Sequence, residues 1–297
     1  LIEDIRNAEK YVFLQYYIIK NDVLFQRIRD ALLEKAAQGV EIRILYDAMG
    51  CRSVHRKMWK ELEGQGIRTA VFFPALLGPL HLRVNYRNHR KIAVIDGTIG
   101  YVGGFNIGKE YIGLDPKFGH WRDTHLRIRG SAVAALLIRY IQDWDYAARE
   151  NLFSRPEYIV YPEEQFGNTK MQIISSGPDS ALQIIRDNYL RLIHKAKKRI
   201  YVQTPYFIPD ESILTALKMA ALSGIEVNLM IPCKPDHPFV YWATYSYMGE
   251  LVMAGANCYT YDNGFLHVKG VSIDGEACCF GTATMDIRSF SLKFEVN

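Results

Sequence analysis

One pattern, HxKxxxxD, occurs twice in this 297-residue chain: HRKIAVID from His89 to Asp96 and HVKGVSID from His267 to Asp274. His267, Lys269 and Asp274 follow His89, Lys91 and Asp96 by the same 178 residues (267 minus 89), as Gly275 follows Gly97 and Gly281 follows Gly103. A single copy is a weak signal, but two copies in register with shared flanking glycines mark a duplication. The chain is therefore expected to fold as two similar halves.

Each copy reads as strand. His and Lys stand at i and i+2 and leave one face together, whereas the apolar run Ile92, Ala93, Val94, Ile95 (Val271, Ser272, Ile273 in the second copy) reads as buried. The Asp-Gly pair that follows is a tight-turn signal, so Asp96 and Asp274 are expected to fix the turn rather than touch a substrate. The repeat extends outside the motifs. YVFLQYYI (Tyr11 to Ile18) aligns with YVQTPYFI (Tyr201 to Ile208), and QGVEIRILYD (Gln38 to Asp47) with SGIEVNLMIP (Ser223 to Pro232). Strand, helix, strand and motif strand in each half predict an α/β class with a mixed sheet flanked by helices. Residues 1–157 form the first half and 170–297 the second. The segment 158–169, with Pro, Gly and paired Glu, reads as the linker.

Lys two residues from His argues for an anion rather than a metal ion, because a cation beside a bound ion is unfavourable. Two imidazoles and two ammonium groups suit a phosphate. The lysines offset its charge, and the imidazoles carry out nucleophilic and proton-transfer work near neutral pH.

On these motifs the chain resembles the phospholipase D superfamily, in which twin HxKxxxxD motifs from two homologous halves form one active site. Within it the chain is most similar to the bacterial cardiolipin synthases, through RNHRKIAVIDG (Arg87 to Gly97), YVGGFNIG (Tyr101 to Gly108), WRDTHLRI (Trp121 to Ile128), YVQTPYFIPD (Tyr201 to Asp210) and GTATMDIRSFSLKFEVN (Gly281 to Asn297). The resemblance implies a phosphatidyltransferase that makes cardiolipin and glycerol from two phosphatidylglycerols through a phosphohistidine. It also implies no cofactor and no metal. The motif set is His89, Lys91, Asp96, His267, Lys269 and Asp274. One histidine attacks phosphorus while the other protonates the leaving alcohol, and the N-terminal position favours His89 as nucleophile. Family positions for a carboxylate that orients each histidine fall on Asp123 and Glu295. The phosphate-binding amide falls on Asn106, 17 residues (106 minus 89) past its histidine; the matching position carries Thr284 in place of the usual Asn. That change weakens oxyanion stabilisation by about 1–4 kcal/mol if nothing compensates. Two alternatives share the motifs: a phosphodiesterase of the same superfamily that uses water as acceptor, and an inactive lipid-binding fragment.

A formal net charge of +4 is a mild basic excess. It suits an anionic membrane surface as partner beside phosphatidylglycerol. No basic stripe interleaved with aromatics is present, so no nucleic acid is expected. Lys195, Lys197, Lys198 and Arg199, and Arg52, Arg56 and Lys57, read as solvated clusters, and FFPALLGPL (Phe72 to Leu80) as either a membrane-dipping loop or a buried one. The five cysteines show no CxxC spacing and read as buried thiols. No apolar run reaches about 18 residues. Both ends look cut, so the expectation is a fragment of a protein anchored in a bacterial cell membrane by helices absent from this sequence. Weakened stability and an apolar face uncovered near Glu295 are expected with it.

Overall fold

The computed structural model describes residues 1–74, 85–161, 166–234 and 238–297. They form two compact units, the first made of residues 1–111 and 125–173 and the second of residues 112–124 and 174–297. This division differs from a simple cut at 158–169. Tyr158 is buried in the first unit, where its hydroxyl donates to Glu41 and its carbonyl accepts from the Tyr11 hydroxyl. A short piece of the first sequence half, 112–124, packs with the second unit.

The sheet of the first unit has the strand order Arg68–Phe72, Glu41–Asp47, Tyr11–Tyr16, Ile92–Ile95, Ile99–Gly103, His125–Arg129. The first three strands run parallel and the last three join by antiparallel pairing. In the second unit the order is Asn257–Tyr261, Glu226–Pro232, Arg199–Gln203, Gly270–Ile273, Ala277–Phe280, again parallel on one side and antiparallel on the other. Both units are mixed α/β, as expected. The central strands are buried on both faces, which is why they read as continuous apolar runs: Val12, Phe13, Leu14, Ile92, Ala93 and Val94 have no exposed surface.

Helices cover the sheets by amphipathic packing. Val23–Ala37 buries Phe25, Ile28, Ala31, Leu32 and Lys35, and Glu211–Leu222 buries Ile213, Ala216, Leu217 and Ala220, both at helical spacing. Each is capped by an aspartate. Asp22 accepts from the Leu24 and Phe25 N–H groups, and Asp210 from that of Ile213.

Strand register corrects one sequence alignment. Val12 pairs with Ile95 and Ile200 with Ile273, so the first strands correspond at 188 residues (200 minus 12), as the helix caps Asp22 and Asp210 also do. Matching YVFLQYYI to YVQTPYFI is therefore out by two. A slip of two preserves which side chains face in, so the alternation of a strand cannot expose the error. Matching Glu41 to Glu226, by contrast, agrees with the pairing of both to the first strands.

The two motif aspartates serve the turn in the same way in each unit. Asp96 (φ 52) and Gly97 (φ 70), and Asp274 (φ 54) and Gly275 (φ 75), are left-handed pairs in the tight turns that join Ile95 to its partner Ile99 and Ile273 to its partner Ala277. The Asp96 carboxylate accepts from the N–H groups of Glu9, Lys10 and Tyr11 at 2.8–2.9 Å. Asp274 accepts from those of Lys197, Lys198 and Arg199 at 2.8–2.9 Å. These bonds, led by Arg199 and Lys197, outweigh desolvation and hold the Asp274 carboxyl below its ordinary value. Its contribution to stability is present above the unfolded carboxylate value, about 3.9, and is lost as pH falls through the lower folded value. Asp96→Ala is expected to lower unfolding free energy by about 1–3 kcal/mol in a denaturant titration. A loss within error would remove the clamp from the account.

Several surface expectations are also answered. Cys51 and Cys279 are buried, but Cys278 is exposed, because its strand Ala277–Phe280 lies at the sheet edge and alternates outward. Phe294 and Val296 beside Glu295 are buried rather than uncovered, since Lys293–Val296 pairs with Ser175–Ser176 and the Asn297 side chain bonds Thr282, Ala283 and Tyr189. Of the apolar loop, Phe72 is buried; residues 75–80 lie outside the described residues. Among the described residues no helix is long and apolar enough to cross a membrane.

Candidate active site

In both units the HxK residues stand just before the paired motif strand rather than within it. The carbonyl of each histidine is held by the lysine of the same motif. The Lys91 ammonium donates to the His89 carbonyl at 2.6 Å, and Lys269 donates to that of His267. Each ammonium is thereby drawn next to its own histidine. Lys91 and Lys269 are almost wholly buried. A buried ammonium is costly without partners, and such a charge is well placed to meet an anion.

In the second unit the segment Trp121–Arg122 pairs in parallel with Phe265–Leu266, and the His267 N–H donates to the Arg122 carbonyl at 2.8 Å. This pairing carries Asp123 to the imidazole. Its Oδ2 lies 2.6 Å from His267 Nδ1 and 3.9 Å from Lys269 Nζ. Burial pushes the Asp123 carboxyl up, but Lys269 and then His267 more than offset it and hold the group below its ordinary value. An ionised Asp123 accepts, so Nδ1 carries a hydrogen directed at the carboxylate and Nε2 is the nitrogen left to exchange a proton. Lys269 Nζ is also 2.7 Å from Nδ1, yet its hydrogen bond goes to the backbone carbonyl, because Nδ1–H is already directed at the carboxylate. The Trp121 ring packs on the imidazole with centroids 4.9 Å apart.

In the first unit His89 is nearly buried, with the Tyr17 ring edge-on at 5.0 Å, and the same ring lies 5.4 Å from Lys91 Nζ. Asn106 lies in the same unit and is buried. Its Oδ1 accepts from the Ile18 N–H at 3.0 Å, and its Nδ2 donates to the Tyr111 hydroxyl at 2.9 Å. One of two amide hydrogens is so used.

Thr284 has a different setting. Its one hydroxyl hydrogen goes to Asp286, whose other oxygen caps the Ser289 N–H at 3.0 Å at the start of the helix Ile287–Leu292. Glu295 has no exposed surface. Hydroxyls hold both its oxygens, Thr282 at 2.6 Å and Ser289 at 2.5 Å.

Of the expected site residues, then, Asp123 joins His267 and Lys269, and Asp96 and Asp274 belong to the turns. Sequence reading missed the side chains around them: Tyr17, Trp121, Thr282 and Ser289, and a polar cluster of Gln15, Asn88, Arg90 and Asp143. Gln15 had a signal, since it matches Gln203 once the register of 188 is used (203 minus 15).

A model of the cardiolipin synthase, PLD-like domain matches residues 1–143 and 189–297. Over 300 residues the chain is 53% identical to the major cardiolipin synthase ClsA of Bacillus subtilis (strain 168), covering 100% of this chain and 62% of that protein. It is 51% identical over 297 residues to a cardiolipin synthase of Oceanobacillus iheyensis, covering 100% of this chain and 61% of that one. The chain thus spans about three fifths of the length of the curated relatives it matches. Among solved structures, phosphatidylserine synthase from Haemophilus influenzae Rd KW20 superposes with a TM-score of 0.74 at 17% identity, covering 99% of this chain and 77% of that one. Polyphosphate kinase from Porphyromonas gingivalis gives 0.62 at 13% identity, covering 99% and 41%. These two share the fold. With the duplicated HxK geometry and a family match over most of its length, the chain belongs to the cardiolipin synthase, phospholipase D-like domain family.

Proposed function

We propose that this chain carries the catalytic part of a phosphatidyltransferase that forms cardiolipin and glycerol from two phosphatidylglycerol molecules, both motifs serving one reaction. The observation that carries the reading is the His267–Asp123 pair beside Lys269, in a chain whose other motif repeats the strand register and the lysine contact.

The Asp123 carboxylate favours an imidazolium on His267, which suits that residue to proton transfer, so we assign the nucleophile to His89. His89 attacks phosphorus; the new N–P bond replaces the P–O bond to the headgroup glycerol, and His267 gives the leaving oxygen its proton. The neutral His267 then takes the proton of a hydroxyl on the second phosphatidylglycerol. That oxygen attacks phosphorus, the N–P bond breaks, and cardiolipin leaves with both histidines restored. Lys91 and Lys269 balance charge on the phosphoryl oxygens, and Glu295, held by Thr282 and Ser289, is assigned to orient His89. The second amide hydrogen of Asn106 is assigned to a phosphoryl oxygen.

Thr284 could serve phosphate only by releasing Asp286, so its hydroxyl is assigned to the helix cap instead. Thr284→Val is accordingly expected to cost about 1–3 kcal/mol of stability. It should leave turnover within about threefold, well short of the loss seen on removing an oxyanion donor. A large drop in turnover in a folded Thr284→Val protein would return the phosphate role to Thr284.

Substrate and partner follow from the same chemistry: phosphatidylglycerol in an anionic bilayer, with the whole protein at the bacterial cell membrane. Incubation with phosphatidylglycerol vesicles and mass spectrometry of the lipids tests the reading. Cardiolipin with an equal amount of glycerol is the expected product. Phosphatidic acid alone would mean that water is the acceptor, and no product from folded chain would contradict the assignment.

A further inference from the structure

We propose that Asp143, on the helix Ala132–Ala148, is a positioning residue for His89 that acts through Asn88 and Arg90, the residues on either side of it. The proposal rests on the reading of His89 as a reacting group. Asp143 is nearly buried, and its two oxygens receive Arg90 Nη1 at 2.7 Å, Gln15 Nε2 at 2.6 Å, Asn88 Nδ2 at 3.1 Å and Arg139 Nη2 at 3.1 Å. Burial pushes its carboxyl up, but Arg90 and Arg139 outweigh this and keep the group ionised.

The connections close around His89. Asn88 Oδ1 accepts from Gln15 Nε2 at 3.0 Å and, across His89, from the Arg90 N–H at 3.2 Å. The Asn88 N–H is held by Asp47 at 3.0 Å, and the His89 carbonyl by Lys91. Both peptide neighbours of the imidazole are thus tied to a rigid polar frame, which restricts the backbone torsions that aim the ring.

The second motif shows that the fold does not require this frame. His267 is flanked by Leu266 and Val268, both fully buried, and gets its backbone anchor from the Arg122 carbonyl. A buried ion pair is also weak as a source of stability, because apolar residues of similar volume usually replace it at little cost. A cluster of five polar side chains at His89, where the second motif has Leu266 and Val268, is better accounted for by holding that histidine in place.

Asn88→Ala and Asp143→Asn in the full chain test the proposal, with steady-state turnover of phosphatidylglycerol, thermal melts and 15N spectra of the histidine rings. The His89 and His267 signals are assigned from the H89A and H267A proteins. Asn88→Ala keeps the Arg90–Asp143 pair and so decides the matter if Asp143→Asn fails to fold. Expected is a fall in kcat of about 100-fold with KM within about twofold, and a His89 signal that shifts or broadens while that of His267 stays. Unchanged kcat in folded Asn88→Ala, an unchanged His89 signal, or equal changes at both histidines would overturn it. If the parent chain makes no product, the proposed reaction fails, and the ring spectra still judge the positioning.

Discussion

Alanine in place of either His89 or His267 is expected to lower phosphatidyl transfer by at least about 1000-fold, with each single variant nearly as inactive as the double variant. A reaction that needs one imidazole to bond phosphorus and another to move the proton loses its route when either is absent, and residues acting as one unit are strongly non-additive. Stability should change little in the His89 variant, whose edge-on contact with Tyr17 is worth no more than about 1.5 kcal/mol, and should fall by about 1–3 kcal/mol in the His267 variant, whose imidazole also donates a hydrogen bond to buried Asp123. Rates from lipid product analysis, with melts of each variant, check the result. Residual transfer within about tenfold of the parent in either variant would exclude the two-histidine scheme.

The second large effect is at Asp123. Asp123→Asn keeps size and shape but replaces an acceptor-only group with an amide that can turn its NH2 toward Nδ1, which selects the wrong imidazole tautomer. The rate is expected to fall by about 10²–10⁴-fold. Because Lys269 and His267 hold the Asp123 carboxyl below its ordinary value, the group is ionised across neutral and mildly acid pH. Its contribution is lost only as pH falls below about 4, through the depressed folded value. The ratio of parent to variant rates should therefore stay well above one throughout pH 5 to 8. A ratio that converges toward one at pH 5 would show that Asp123 titrates there and is not the fixed acceptor described.

Local chemistry made much of this legible in advance. The Asp-Gly turns and the buried motif strands each depend on a few adjacent positions and appear as expected in both units, whereas the HxK residues precede the paired strand instead of lying within it. What depended on contact across the chain was harder to read. Asp123 falls in the first half of the sequence, yet residues 112–124 pack with the second unit, so only the fold says that its histidine is His267. Nothing adjacent to Arg90 in the sequence marks its partner, Asp143, 53 residues away. The two-residue misalignment of the first strands hid the match of Gln15 to Gln203, because both registers keep the same face inward. Thr284 was recognisable as a departure from the family pattern. Its bond to Asp286 was not, since a threonine two residues before a helix cap carries no distinctive spacing.

The central claim is a covalent phosphatidyl group on one motif histidine, and intact-protein mass spectrometry of a rapidly quenched reaction with phosphatidylglycerol tests it most directly. The account predicts a mass increase equal to one phosphatidyl group, mapped to His89 by peptide analysis under neutral conditions and absent from the H89A protein. Turnover without any adduct at His89, or an adduct that persists in the H89A protein, would contradict it.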